Sequence, residues 1–218
     1  MTRIFDLNNT FWRVISAVAD LIGLSVLWLV CCIPVVTIGP ATAALYYAVT
    51  KCVRRLEGGV CRSFFHSFGQ NWRQGVPATL LVLPLVALTV LGWWFVFSVG
   101  ANRPWGLGAL LGYGILTALP MGMVLYLFPV QARFEYTMGG LFRAALHLSM
   151  GHLLRTLLLR VTSAVTAYIS VALLLPAFIL PAVCMLVYSL VLEGVFRAFS
   201  PELAAEAAEE ARLKLEQE

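Results

Sequence analysis

Charged residues are missing from four long stretches of the chain, 21–50, 74–102, 104–132 and 161–192, which run to 30, 29, 29 and 32 positions. Inside them apolar side chains follow one another without the alternation of a half-buried strand, and the pattern reads as helices that are apolar all round. About 20 such residues carry a helix across a hydrocarbon core roughly 30 Å thick. A helix also satisfies its own backbone polar groups, which lipid cannot do. Two stretches predict one crossing each, at 78–99 and 105–128, joined at Asn102-Arg103-Pro104. Trp93, Trp94 and Trp105 flank that turn, and indole rings favour the membrane–water boundary. The last stretch, taken with Leu153–Leu159, predicts two helices at 156–175 and 182–198, with Pro176 and Pro181 bracketing an uncharged turn.

The first stretch divides at Pro34. One helix is expected from Phe11 to Ile33, then a tight turn through Pro34-Val35-Val36-Thr37-Ile38-Gly39-Pro40, then a second helical segment from Ala41 to Val53. Proline suits the first turn of a helix, where no N–H is needed. Residues 41–50 carry no charged face, so the segment is expected to be a short arm returning through the membrane, buried against its neighbours. The fold class that follows is all-α, a polytopic membrane helix bundle of six spans in three hairpins. The alternative has five spans, with 41–55 interfacial. Residues 1–198 form one membrane-embedded domain in either case. Residues 199–218 read as an acidic tail helix in water, capped by Ser200 and opened by Pro201.

Composition removes other classes. The chain is 61% hydrophobic and 12% charged, with a mean hydropathy of +0.87. A soluble domain carries about 25% charged residues, so soluble globular, disordered and fibrous proteins are excluded. The lipid bilayer is the partner this composition demands. Segment 51–73 holds Lys51, Arg54, Arg55, Arg62 and Arg73 against Glu57, and segment 133–160 holds Arg133, Arg143, Arg155 and Arg160 against Glu135. Lys and Arg in short loops mark the cytoplasmic side. A multi-pass protein of the cell membrane follows, with both basic loops and the C-terminus cytoplasmic.

Each basic loop contains an amphipathic segment. Near 61–74, Phe64, Phe68 and Trp72 share one face while Arg62 and Arg73 lie on the other; near 134–150, Phe134, Met138, Leu141, Ala145 and Leu148 form a similar stripe. Such helices lie at the interface beside anionic lipid. Phe64, Phe68, Trp72, Arg62 and Arg73 also make a candidate docking face for a protein partner. A faint internal echo places Leu45-Tyr46 before Gly58-Gly59 and Leu125-Tyr126 before Gly139-Gly140.

Candidate chemistry is sparse. Cys31, Cys32, Cys52, Cys61 and Cys184 contain no C-x-x-C, and His66, His147 and His152 have no ligand spacing. No phosphate loop, dinucleotide glycine pattern or serine elbow is present. Neither catalytic activity, cofactor, metal nor nucleic-acid partner is expected. Asp20, at the entrance to the first apolar run, is the one carboxylate near membrane depth and a candidate functional residue. Arg13 lies on its helix face and is its expected partner. Gly108 and Gly112 form a G-x-x-x-G step, expected to serve packing within the bundle.

Asp20-Leu21 with Leu27-Trp28-Leu29, the turn Pro34-Val35-Val36-Thr37-Ile38-Gly39-Pro40-Ala41, Ala44-Leu45-Tyr46-Tyr47, Phe64-Phe65 with Phe68, Asn71-Trp72, and Phe128-Pro129-Val130-Gln131-Ala132-Arg133-Phe134 together resemble the YesL-like family of bacterial integral membrane proteins. The likeness runs over roughly residues 5–198, and Pro34, Thr37, Gly39 and Pro40 carry its distinctive turn. That family has no established biochemical activity, and its members are encoded near carbohydrate uptake systems. The resemblance therefore implies a bacterial inner-membrane location and an accessory or regulatory role beside a carbohydrate ABC importer. A small-solute transporter or channel is the alternative, motivated by Asp20 and the broken helices.

Overall fold

The computed structural model describes residues 10–54, 59–100, 103, 105–134, 136–173 and 175–199; within these, the side chains of 10–14, 53–54, 175, 177 and 197–199 are not described. All regular elements among them are helical: α1 (Thr10–Cys31), α2 (Ile38–Ala48), α3 (Val60–Gly100), α4 (Gly106–Arg133), α5 (Met138–Gly151), α6 (Leu153–Ala172) and α7 (Leu180–Phe199). Short 3-10 turns at Val35–Thr37 and Leu175–Phe178 replace the predicted turns, and α2 runs on into a π-helical segment, Val49–Arg54. The expected acidic tail helix at 199–218 lies outside the described residues, apart from Phe199 at the end of α7.

α3 and α4 and α6 are each long and apolar enough to cross a membrane; α1 and α7 are apolar over shorter windows, Ile15–Cys31 and Leu180–Phe196. Their outer faces are apolar and bare, with Val26 and Val30 on α1, Leu88, Leu91 and Phe95 on α3, Ile115 and Leu116 on α4, and Leu157, Val161 and Val165 on α6 all exposed. Exposed apolar surface on that scale marks contact with lipid rather than water. Hydroxyls on these faces bond inward to their own helices, as Ser98 Oγ does to Trp94 O at 2.7 Å and Thr162 Oγ1 to Leu158 O at 2.9 Å. In hydrocarbon that is the cheapest way to satisfy them.

α3 corrects one sequence expectation. The amphipathic segment near 61–74 is not a separate interfacial helix; it is the first third of a 41-residue helix that continues through Pro77 and Pro84 to Gly100. At 1.5 Å per residue this helix is about 60 Å long, roughly twice a hydrocarbon core. Gly59, at φ +90°, opens it in the left-handed region that favours glycine. The equivalent segment of the second basic loop remains separate, as α5, because the chain breaks at His152 before α6.

α2 is the other departure. It has 11 residues, about 16 Å of helix, and continues directly into the π-helical segment. Gly39, Pro40, Ala41, Ala43, Ala44, Leu45, Tyr46 and Ala48 are all buried. The expected burial against neighbours holds, and an interfacial position with one face in water does not. Two apolar clusters surround it. Ala44, Leu45, Ala48 and Val49 join Leu24, Phe64 and Ala182, while Ala43 and Tyr46 join Tyr126, Phe128, Leu141, Leu192 and Phe196. The fold is an all-helical bundle built around this short buried helix. The two echoed tyrosines, Tyr46 and Tyr126, both have no exposure and share one cluster.

Two polar contacts set the outer helices in place. Ser25 Oγ on α1 donates to Ile179 O at 3.2 Å and accepts from Ala182 N at 3.1 Å. It thereby caps one of the unpaired N–H groups of the first turn of α7. At the turn between α3 and α4, Gly100 meets Gly106, where a Cβ on Gly106 would stand 2.8 Å from the Gly100 carbonyl carbon. The G-x-x-x-G pair behaves otherwise than expected. Gly108 and Gly112 face open space with nothing within 4 Å, and the tight small-residue contacts lie at Gly92 against Tyr113 and Gly122 against Thr156.

Candidate functional site

Three features carry the candidate residues: the Pro34–Pro40 turn, the exposed side of the first third of α3, and the polar ends of α3, α4 and α7.

The turn is a packing joint. Pro34, extended at φ −77° and ψ 115°, ends the run of α1 and starts the 3-10 turn. Thr37, buried, places Oγ1 within donating reach of Pro34 O at 2.5 Å and of Cys31 O, which closes the turn on the carbonyls that α1 leaves unpaired. Gly39 N donates to Thr79 Oγ1 at 3.1 Å, and Thr79 Oγ1 donates to Gly75 O at 2.6 Å. A Cβ on Gly39 would overlap Thr79 Oγ1 and stand 2.6 Å from Phe128 Cε1 and 2.9 Å from Gly75 O. From the other side, a Cβ on Gly75 would stand 2.7 Å from the Pro40 ring. Pro34, Thr37, Gly39 and Pro40 thus bring α2, α3 and α4 to the closest approach their backbones allow. The contacts of Thr37, Gly39 and Pro40 are packing and backbone-capping contacts.

The candidate docking face is turned from where the pattern placed it. Phe64 has no exposure and lies in the cluster with Leu45 and Val49. Phe68, half-buried, stacks on it at 6.2 Å and meets Trp72 at 5.3 Å. Arg62, Phe65, Trp72 and Arg73 are exposed. The correction has a simple cause: α2 covers the Phe64 side, so the free face is a stripe of mixed basic and aromatic residues. Phe65, 53% exposed, belongs to it, and the pattern had set it only beside the apolar face.

Asp20 is half-buried on α1. Its expected partner Arg13 has a side chain outside those described, so their pairing is not defined. Among the described residues a charged pair lies elsewhere. Arg133, the last residue of α4, binds Glu193 of α7 through Nε at 3.1 Å and through Nη2, with side-chain exposures of 13% and 10%. A sequence signal existed for it, since each residue is the first charge after an uncharged run.

Two polar cavities lie at this end of the bundle. One, of about 370 Å³, is lined by Tyr47, Lys51, Gly59, Arg62, Ser63 and His66. The other, of about 670 Å³, lies between residues 70–74 of α3 and 131–134 of α4. A third cavity, of about 400 Å³, is mostly apolar and opens among α1, α4, α6 and α7. Ser163, Thr166 and Ser170 of α6 contribute a hydroxyl row to its wall, and Ser163 Oγ bonds Tyr188 Oη. Asp20 does not line it. Among the described residues, no group of three or more His, Cys, Asp or Glu side chains could hold a metal.

No curated protein and no solved structure matches the chain. Over residues 21–93, a stretch that takes in the second half of α1, the turn, α2 and α3 as far as Trp93, the chain is similar to the family described as "Protein of unknown function, DUF624".

Proposed function

We infer that this chain is a YesL-like, non-catalytic protein of the bacterial inner membrane that serves as an accessory or regulatory partner of a carbohydrate ABC importer, docking through the exposed side of α3. YesL-like proteins are members of the matched family, and the importer as partner follows from the resemblance. The observation that carries the docking role is the length of α3. Its uncharged run, 74–100, accounts for about two thirds of its 41 residues. The remainder presents Arg62, Phe65, Trp72 and Arg73 outside the bundle. Aromatic and arginine side chains are those on which protein interfaces concentrate their binding energy.

The arrangement proposed has five crossings, α1, α3, α4, α6 and α7, rather than six. Two contacts support it. The start of α2 places Gly39 against Gly75 and Phe128, near the basic ends of α3 and α4. Its π-helical continuation, Val49–Arg54, carries Lys51, which shares a cavity with Arg62 and His66. Both ends of α2 then lie toward the basic loops, and it does not cross. The pairing of Arg133 with Glu193 brings the end of α7 to that same side, which makes the C-terminus cytoplasmic with the loops. The N-terminus is then outside.

Capture of tagged protein from membranes of sugar-induced cells tests the function. Wild-type protein should retain importer subunits, and the variant Phe65→Ser/Trp72→Ser should lose them while migrating normally in detergent. Absence of every importer subunit from the wild-type capture would remove the proposal. The transporter alternative has one feature in its favour, the cavity among α1, α4, α6 and α7. Its apolar wall suits a polar solute poorly, and liposomes containing the protein should show no sugar or ion flux sensitive to Asp20→Asn.

A further inference from the structure

Three amides of the larger polar cavity each have an N–H engaged by a backbone carbonyl. Asn71 Nδ2 donates to Ser67 O at 2.9 Å, Gln74 Nε2 to Tyr136 O at 2.7 Å, and Gln131 Nε2 to Asn71 O at 3.2 Å. In each case the partner is a backbone carbonyl, which only accepts. That fixes the orientation of these three amides, with the carbonyl oxygen of each free to accept beside any N–H not engaged. Gln131 shows the consequence most sharply. It is 5% exposed, it lines the cavity, and its Oε1 has no hydrogen-bond partner. A buried carbonyl without a donor is rare in a finished fold.

The charge of the lining points the same way. Arg73 is exposed at the cavity wall, and Arg133 lies opposite with its charge held by Glu193. Asn71, Gln74 and Gln131 are neutral acceptors, and no carboxylate appears among the described lining residues. A cation rich in N–H donors would meet the amide carbonyls but also the Arg73 guanidinium. An anion with hydroxyl donors satisfies both. Arg73 also stands four residues before Pro77, where α3 enters its apolar run, so the cavity is at the depth of lipid headgroups.

We propose that the cavity between residues 70–74 and 131–134 binds a hydroxylated phosphate ester, its phosphate on Arg73 and its hydroxyls on the amide carbonyls of Gln74 and Gln131. The same chemistry occurs in a phosphatidylglycerol headgroup and in a soluble polyol phosphate. The site shares Arg73 with the docking side of α3, but its binding is read on the protein alone and does not depend on a protein partner.

The test uses the full-length protein in a neutral detergent, with binding read by native mass spectrometry. Four probes are titrated: short-chain phosphatidylglycerol, the matched phosphatidylmethanol with the same charge and no diol, glycerol 1-phosphate, and inorganic phosphate. Phosphatidylglycerol is expected to bind about tenfold more tightly than phosphatidylmethanol, or glycerol 1-phosphate than inorganic phosphate, the worth of one or two well-made hydrogen bonds. Preference confined to the first pair identifies a lipid headgroup, and preference in the second pair a solute. Arg73→Gln, an exposed change that leaves the fold alone, is expected to weaken binding about tenfold. Gln131→Leu is expected to erase the preference for the diol while retaining affinity for the anion. Equal binding within both pairs, or binding unchanged by Arg73→Gln, overturns the proposal.

Discussion

The joint at Gly39 is the place where one methyl group should cost most. Gly39→Ala puts a Cβ into Thr79 Oγ1, 2.6 Å from Phe128 Cε1 and 2.9 Å from a backbone oxygen that cannot swing away. Overpacking of that kind costs about 1–3 kcal/mol. The bond from Gly39 N to Thr79 Oγ1, now 3.1 Å, is lost as the helices part, for about 1 kcal/mol more. Against this stands a gain in helix propensity of up to about 1 kcal/mol, small here because Gly39 is the second residue of α2. The net is a loss of about 2–3 kcal/mol. For a chain of this size each kcal/mol moves the midpoint by about 2–4 °C, so the drop should be roughly 5–10 °C. The assay is the temperature at which purified protein in detergent loses its monodisperse gel-filtration peak. Gly108→Ala is the control, since nothing lies within 4 Å of a Cβ there, and it should leave the midpoint unchanged or slightly raised. Thr79→Ala in the Gly39→Ala background removes one of the three overlaps and should make the pair less harmful than the two single changes added together. Equal midpoints for Gly39→Ala and Gly108→Ala would show that α2 is not held at this distance from α3, and the architectural role of the turn would fall with it.

Three further outcomes follow from particular contacts. Glu193→Gln should destabilise by about 1–3 kcal/mol, because the Arg133 guanidinium at 13% exposure loses the Glu193 charge; Arg133→Met combined with Glu193→Leu should recover most of that loss in the same thermal assay. Ser25→Ala should cost about 1–2 kcal/mol, since Ala182 N loses the acceptor that caps α7, while Ser98→Ala, on an exposed face, should cost little. Cys61 is exposed and should resist a membrane-impermeant maleimide in intact cells yet react once the membrane is opened, whereas Arg103→Cys should react from outside; the reverse pattern would invert the proposed orientation.

What the sequence made legible was set by the range of the forces involved. Runs without charge are a local property imposed by the solvent, so α4, α6 and α7, the C-terminal end of α3 and the turns between them lie close to their expected bounds. The helix break at Pro34 was equally local. What escaped were features that depend on neighbours. A Phe-rich face on 61–74 is compatible with lipid, with a partner or with α2, and only the packing of Phe64 beside Val49 decides among them. The G-x-x-x-G step at Gly108 was a misleading signal because spacing says that two backbones can approach, not that they do. Gln131 gave no signal in the sequence, since an amide within an apolar run looks like an ordinary interfacial residue until its acceptor is found without a donor.

The stretch similar to the known family, 21–93, has a physical meaning in this fold. It contains the Pro34–Pro40 turn, the whole of α2, and the Gly75 and Thr79 positions of α3 against which that turn closes. These are the residues that let a short helix be buried on all sides. A polar backbone end inside a membrane protein is tolerable only if it is paired, and Thr37 and Thr79 supply that pairing. The recognisable part of the sequence is therefore a solution to a packing problem, and it says little about ligands or partners. Arg62, Phe65, Trp72 and Arg73 fall inside the same stretch but on the open side of α3, where packing demands less of them than of Phe64. Variants at these four positions can therefore separate binding from folding: loss of partner or anion there with an unchanged thermal midpoint would assign the residues to function, and loss of both together would assign them to the bundle.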